Sequence, residues 1–189
     1  YIVEHLARQG VREIMVNTSH LAHRIEQVFG DGRRFGVHIG YSFEGHLEDG
    51  RLVPEPVGSA GALRKINDLG GFIDDTTAVL CGDAVVNIDL QAAATRHRAQ
   101  GALATVITKE VPLQDVASYG IVVARPDGRV ASFQEKPAPF EALSRMASTG
   151  IYLVEPGVLG HIPTNRPFDI GGELFPALVR QGLPFFNQC

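Results

Sequence analysis

The sequence predicts an α/β fold built on a mixed, mostly parallel sheet. Three observations carry this. In the first half of the 189 residues, short apolar runs alternate with amphipathic stretches. That is the pattern of βαβ units, whose crossovers make neighbouring strands parallel. In the second half, Tyr119 to Ala124 and Arg129 to Gln134 flank Pro126-Asp127-Gly128, a hairpin turn that brings antiparallel pairing. No internal repeat, low-complexity tract or linker interrupts the pattern, so residues 1–189 read as one domain.

The elements follow in order. Tyr1 to Gly10 reads as the second half of a helix, with Ile2, Leu6 and Val3 apolar and Gly10 as its stop. Glu13 to Asn17 is a short strand, and Thr18 or Ser19 is placed to cap the next helix. There Leu21, Ile25, Val28 and Phe29 recur with helical spacing, and Gly30 ends the run. Phe35 to Phe43 reads as strand, and Glu44 to Pro54 as a hairpin turning at Asp49-Gly50. A helix opens at Gly58 and runs to about Leu69. Ala78 to Asp83 is a buried strand in which Cys81 reads as a small hydrophobe. Leu90 to Gln100 is helical, with Leu90, Ala93, Ala94 and His97 on one side. Ala102 to Thr108 and Ser148 to Val154 are strands, Gly172 to Gln181 is a helix, and Phe185 opens a last strand. A helix already under way at Tyr1 and a strand just begun at Phe185 make both ends look cut.

Composition narrows the function classes. The formal net charge is −4 and no basic stripe exists, so nucleic-acid binding has no electrostatic support. No apolar stretch approaches the roughly 20 residues of a membrane span. Two cysteines do not make a disulfide framework, and a reducing, cytoplasmic setting is the expectation. The seven histidines lack metal-ligand spacing. Ser59 lacks the Gly-x-Ser-x-Gly context of a nucleophile elbow.

Four segments could carry chemistry. Gly82 lets the chain turn and delivers Asp83 at the C-terminal end of a strand, the edge where open α/β sheets bind ligands. A carboxylate there can hold Mg²⁺ or simply cap a turn. Glu55-Pro56-Val57-Gly58-Ser59-Ala60-Gly61-Ala62-Leu63 puts small residues at a helix start. Free N–H groups there suit an anion or a base edge, and close packing would call for the same residues. Gln134-Glu135-Lys136-Pro137 ends a strand with a carboxylate and an ammonium that Pro137 could turn toward one cavity; a solvated charge pair is the alternative. Ser148-Thr149-Gly150-Ile151-Tyr152 begins a strand with small polar residues.

In this order the segments resemble the sugar-1-phosphate nucleotidyltransferases. Residues 55 to 63 resemble that family's Glu-Pro-Leu-Gly-Thr-Ala-Gly-Ala-Leu, and Cys81-Gly82-Asp83 its Asn/Cys-Gly-Asp. Tyr119-Gly120-Ile121-Val122 resembles its Tyr-Gly-Val-Val, Glu135-Lys136-Pro137 its Glu-Lys-Pro, and Thr149-Gly150-Ile151-Tyr152 its Thr/Ala-Gly-Ile-Tyr. The resemblance spans nearly the whole chain. It implies a Rossmann-like three-layer α/β/α sandwich and transfer of a nucleotide from a nucleoside triphosphate to a sugar-1-phosphate. It also implies roles. Asp83 would bind Mg²⁺, Glu55 and the Gly58 backbone would contact the base, and Gly120 would bond the sugar through its backbone. Glu135 would hold sugar hydroxyls, Lys136 the sugar-1-phosphate, and Thr149 would line the sugar pocket. Asp83 and Lys136 are then the catalytic pair.

The tract from Thr105-Val106-Ile107-Thr108-Lys109 to Tyr119-Gly120 is most similar to the mannose-1-phosphate guanylyltransferase branch, implying mannose-1-phosphate and GTP. Thymidylyl- or uridylyl-transfer to glucose-1-phosphate is the alternative, as is a non-catalytic nucleotide-sugar-binding subunit of the same fold. A homo-oligomer is compatible with either. A glycosyltransferase would carry Asp-x-Asp at the strand end, which Gly82-Asp83-Ala84-Val85 lacks. Three departures stand out. Ser148 replaces the family's usual Asn, and the stretch from Gly45 to Pro54 is longer than usual. The family's Gly-x-Gly-Thr-Arg-Leu loop is expected upstream of Tyr1, and its second metal-binding Asp beyond Cys189.

Overall fold

A computed structural model of the chain describes residues 1–83 and 87–189; Ala84 and Val85, whose sequence was read against Asp-x-Asp, lie outside them. Helix α1 (Ile2–Arg8) leads into β1 (Glu13–Thr18), α2 (Ala22–Phe29) and β2 (His38–Phe43). β1 and β2 pair in parallel from Glu13↔His38 to Thr18↔Phe43, the βαβ unit expected from the alternation. Two details differ from expectation. The Thr18 hydroxyl does not cap α2; it is buried and donates to the Ser42 carbonyl at 3.3 Å. The stretch before His38 is a 3-10 turn, Arg33–Phe35, ended by Gly36 at φ 74. The apolar face read into α2 is also largely uncovered. Leu21 caps the helix in the left-handed region, and it and Val28 are exposed.

Strands β3 (Gly45–Glu48) and β4 (Arg51–Pro54) form the expected hairpin around Asp49-Gly50. Helix α3 (Ser59–Gly70) follows, then β5 (Thr77–Leu80), α4 (Leu90–Ala99), β6 (Ala104–Glu110), β7 (Gly120–Ala124), β8 (Val130–Glu135), β9 (Met146–Val154), α5 (Phe175–Arg180) and β10 (Phe185–Gln188). β5 to β10 make one sheet, ordered β10-β6-β9-β7-β8 with β5 also on β9. The sheet is mixed, but parallel pairing does not dominate. Among the described residues of this sheet only β10–β6 is parallel, because β9 runs against β5, β6 and β7 alike and β8 against β7. β5, β6, β7 and β10 still share one direction, as βαβ reasoning expects; the central reversed strand was not foreseen.

Helices cover both faces. On one, Ala60 and Leu63 of α3 and Phe175 and Leu178 of α5 pack on Val106, Val122 and Val154. Phe175 is the hub, 4.5 Å from the Phe185 ring, 5.0 Å from Tyr152 and 5.3 Å from Phe133. Fully burying one such side chain is worth about 1.5–3 kcal/mol. On the other face, Leu6 of α1 and Leu90 and Ala93 of α4 cover Ile107, Ile151 and Leu153. The layers are therefore α/β/α. The helix expected over Gly172 to Gln181 starts earlier, as a π-helical turn, Ile170–Leu174. Pro176 has no N–H to close an α-turn there, and the ladder widens instead.

Candidate functional site

The register of β9 builds the site. β6 runs along one edge of β9 from Val154 back to Met146. The other edge is shared. β5 pairs with Ile151 to Val154, and β7 pairs with Met146 and Ala147. The C-terminal end of β5 therefore meets the N-terminal end of β7 opposite Ser148–Gly150. At this junction the Cys81 N–H donates to the Gly150 carbonyl at 3.1 Å. Asp83 lies in the turn that follows and is exposed. Cys81 is not the buried hydrophobe expected; the residue is exposed at the strand end. Its sulfur packs on Gly150, and that partial burial, helped by Asp83, pushes the thiol up.

Gly120 and Glu135 face each other as the terminal pair of the β7–β8 hairpin. The hairpin turn legible in the sequence sets this pairing. A Cβ on Gly120 would fall 2.5 Å from Phe133 Cζ and 3.3 Å from Glu135 Oε2, so glycine makes room chiefly for the Phe133 ring, with that carboxylate beside it. The bend after Glu135 is made by Lys136 itself, at φ 45, rather than by Pro137, which is buried. Left-handed backbone costs a non-glycine residue of order 1 kcal/mol. The Lys136 N–H bonds the Tyr119 carbonyl at 3.1 Å, and the residue is exposed.

The Gly-rich helix start is less open than its sequence suggests. Ala60 and Gly61 N–H both donate to the Phe168 carbonyl, at 2.9 and 3.0 Å, so these donors are already spent. Gly58, at φ 76, lies against the same segment, and a Cβ there would fall 2.5 Å from the Phe168 carbonyl oxygen. Close packing thus explains Gly58 directly. Glu55 is exposed and meets His46 Nδ1 at 3.1 Å across the base of the β3–β4 hairpin.

Two residues join the site without having been singled out. Asp169 accepts from the Ser59 hydroxyl at 2.7 Å and from the Gly172 N–H at 2.7 Å. Burial pushes its carboxyl up, but those bonds and the Gly171 and Ile170 N–H groups outweigh it and hold it below the usual range. Asp169 as a cap residue before a helix was the available signal; the Glu173 carboxylate accepts the Asp169 N–H at 3.0 Å. Tyr152 is the other. Its hydroxyl is 3.4 Å from Ser148 Oγ. Burial pushes the phenol up, the charges of Cys81, Glu135 and Asp169 add to this, and the Ser148 bond opposes it.

The structure thus gathers Gly120, Glu135, Ser148, Tyr152 and Asp169 at one junction, with Asp83 beyond the end of β5. It does not bring Thr149 to them. The Thr149 hydroxyl donates to the Ile107 carbonyl at 2.9 Å, and the residue lines a cavity with Lys109 and Ile151 on the α4 face of the sheet. Among the described residues no three His, Cys, Asp or Glu side chains converge as a metal site. Beyond the end of β5 the exposed Asp83 offers one carboxylate. That fits Mg²⁺, which is commonly held by one or two carboxylates with substrate phosphates and water.

A sequence model of the Nucleotidyl transferase family matches residues 1–188. The chain belongs to that family. Among curated relatives it is 53% identical over 98% of its length to a UTP–glucose-1-phosphate uridylyltransferase of Synechocystis sp., covering 48% of that protein. It is 30% identical over 95% of its length to a mannose-1-phosphate guanyltransferase of Neurospora crassa, covering 46%. The chain spans about half the length of the curated relatives it matches. Among solved structures, one of a protein assigned as a glucose-1-phosphate thymidylyltransferase from Bacillus anthracis aligns with all of the chain and 72% of its own, at TM-score 0.78 and 22% identity. A UDP-glucose pyrophosphorylase bound to UDP-glucose aligns with 96% of the chain and 74% of its own, at TM-score 0.70 and 17% identity. At these identities the structures establish the nucleotidyltransferase fold.

Proposed function

We propose that the full-length protein joins glucose-1-phosphate to UTP, giving UDP-glucose and pyrophosphate. The observation that carries this is the 53% identity to the Synechocystis uridylyltransferase, against 30% or less to the mannose-1-phosphate guanyltransferases. The mannose-1-phosphate and GTP expectation gives way to it. That expectation rested on one short tract around β6, and such a tract says little about which base or sugar a pocket accepts.

The geometry supports the chemistry in outline. A sugar-phosphate oxygen, already an anion near neutral pH, attacks the α-phosphorus. The new P–O bond forms as the bond to the β-phosphate breaks, and pyrophosphate leaves with the electron pair. No general base is needed, so positioning and charge neutralisation carry the rate. Glu135, an exposed acceptor beside Gly120, suits sugar hydroxyls. Lys136, turned by its left-handed backbone, suits the sugar phosphate. Glu55 and the Gly58 turn form the base side. Asp83 would hold Mg²⁺, which supplies charge neutralisation on the phosphates when bound.

Ligand-induced thermal shifts test the assignment. UDP-glucose should raise the Tm of the full-length protein at concentrations where GDP-mannose does not, since a ligand stabilises only the state it binds. A larger shift with GDP-mannose would overturn it.

A further inference from the structure

We infer that Asp169 is a positioning residue that fixes the Gly58 turn relative to the Glu135 carboxylate, acting through Ser59 and Gly171. This rests on the nucleotidyltransferase reading above.

The segment from Phe168 to Glu173 bridges the two sides of the site. Toward α3 it makes a dense set of bonds. Phe168 N–H donates to the Val57 carbonyl at 2.9 Å, and the Phe168 carbonyl accepts from Ala60 and Gly61. The Ser59 hydroxyl donates to Asp169 Oδ2 at 2.7 Å and accepts the Ile170 N–H at 2.8 Å. Toward β8 the segment turns its Gly171 α-carbon to Glu135, whose Oε2 would lie 2.8 Å from a Cβ there. The same Asp169 side chain holds that turn, because Oδ1 accepts the Gly172 N–H. One carboxylate therefore uses one oxygen on the base side and the other on the sugar side. Without it Ser59 loses its acceptor and the Gly171–Gly172 turn its side-chain bond, so the backbone that faces the Glu135 carboxylate is free to shift relative to Gly58. Glu135 and the Gly58 turn would bind substrate without touching the reacting atoms, so misplacing them weakens binding and shows in KM.

The test is steady-state kinetics of pyrophosphate release by the full-length protein, with both substrates varied, for Asp169→Ala, Asp169→Asn and Ser59→Ala. Asp169→Ala should raise the KM for UTP and for glucose-1-phosphate about tenfold each, with kcat changed by less than about twofold. Asn keeps an acceptor for Gly172 and a polar partner for Ser59, so it should restore most of the loss. Ser59→Ala should raise the UTP KM more than the sugar-phosphate KM, and the double variant should be no worse than Asp169→Ala. A purely structural role would remove active molecules, lowering kcat with KM unmoved, and that result overturns the inference. If Asp169→Ala does not fold, an unmoved UTP KM in Ser59→Ala overturns it equally. Absence of pyrophosphate release by the unsubstituted protein with every substrate pair would remove the functional reading and this inference together.

Discussion

Glu135 and Gly171 meet across the mouth of the site: a methyl group on Gly171 would sit 2.8 Å from the Glu135 Oε2. The contact joins the end of β8 to the turn that precedes α5. It makes glycine at 171 a condition for where the carboxylate lies, not for how the backbone runs. Positive φ is not the reason, since Gly171 is not among the glycines in the left-handed region.

Gly171→Ala follows from this. The atom in the way is the far end of a flexible side chain, so Glu135 can swing aside at little cost in stability. The Tm should change by less than about 3 °C, while the KM for sugar-1-phosphate rises several-fold. Full-length protein assayed for pyrophosphate release, with a melting curve beside it, separates the two. A large Tm loss with normal KM would mean that the contact matters only for folding.

Gly58→Ala should behave in the opposite way. Here the obstructing atoms are the Phe168 backbone, with its carbonyl oxygen 2.5 Å from the added Cβ, and φ is 76. Neither can yield cheaply, so a loss of about 2–4 kcal/mol is expected. Urea unfolding reads it directly; a midpoint equal to that of the parent protein would refute the packing argument.

His97 sets a pH dependence. It is fully buried, with Nδ1 2.7 Å from Thr105 Oγ1 and Nε2 2.9 Å from Glu155 Oε1. A carboxylate only accepts, so Nε2 carries the proton and Thr105 donates to Nδ1. Burial lowers the imidazole pKa, and the bond to Glu155 opposes that only in part. The unfolded histidine titrates near about 6.5. Below that the unfolded chain binds more protons than the folded one, so stability is complete above about pH 6.5 and falls as the pH drops. In His97→Gln this component is gone, and the Tm should vary less between about pH 7 and pH 5.5 than in the parent. Equal slopes would show that other groups carry the dependence.

Asp83→Asn tests the metal assignment. The side chain is exposed and sits in a turn, so the fold should survive. Mg²⁺-dependent pyrophosphate release by the full-length protein should fall about 100-fold or more. Turnover at the parent rate would reduce Asp83 to a turn residue.

Much of this was legible in the sequence, for local reasons. Pro126-Asp127-Gly128 fixed one hairpin, and with it the Gly120–Glu135 pairing, because a tight turn sets register along both strands. The α4 face of Leu90, Ala93, Ala94 and His97 was read from spacing; Leu90, Ala93 and His97 are buried and Ala94 is half-buried. The same spacing misled at α2, where Val28 is exposed: periodicity says which residues share a face, not whether anything covers it. Thr149 was placed in the sugar pocket from its motif, yet β9 bulges at Gly150, φ 73, and the Thr149 side chain serves the other face. The grip of Phe168 and Asp169 on α3 was invisible because it joins segments far apart in the chain, and helix-start glycines look alike whether they meet a ligand or a neighbouring backbone.

One substrate panel decides base and sugar together: full-length protein with Mg²⁺, each of four nucleoside triphosphates against glucose-1-phosphate and mannose-1-phosphate, following pyrophosphate. UTP with glucose-1-phosphate should give the highest kcat/KM. A higher value for GTP with mannose-1-phosphate, or no pyrophosphate from any pair, would contradict this.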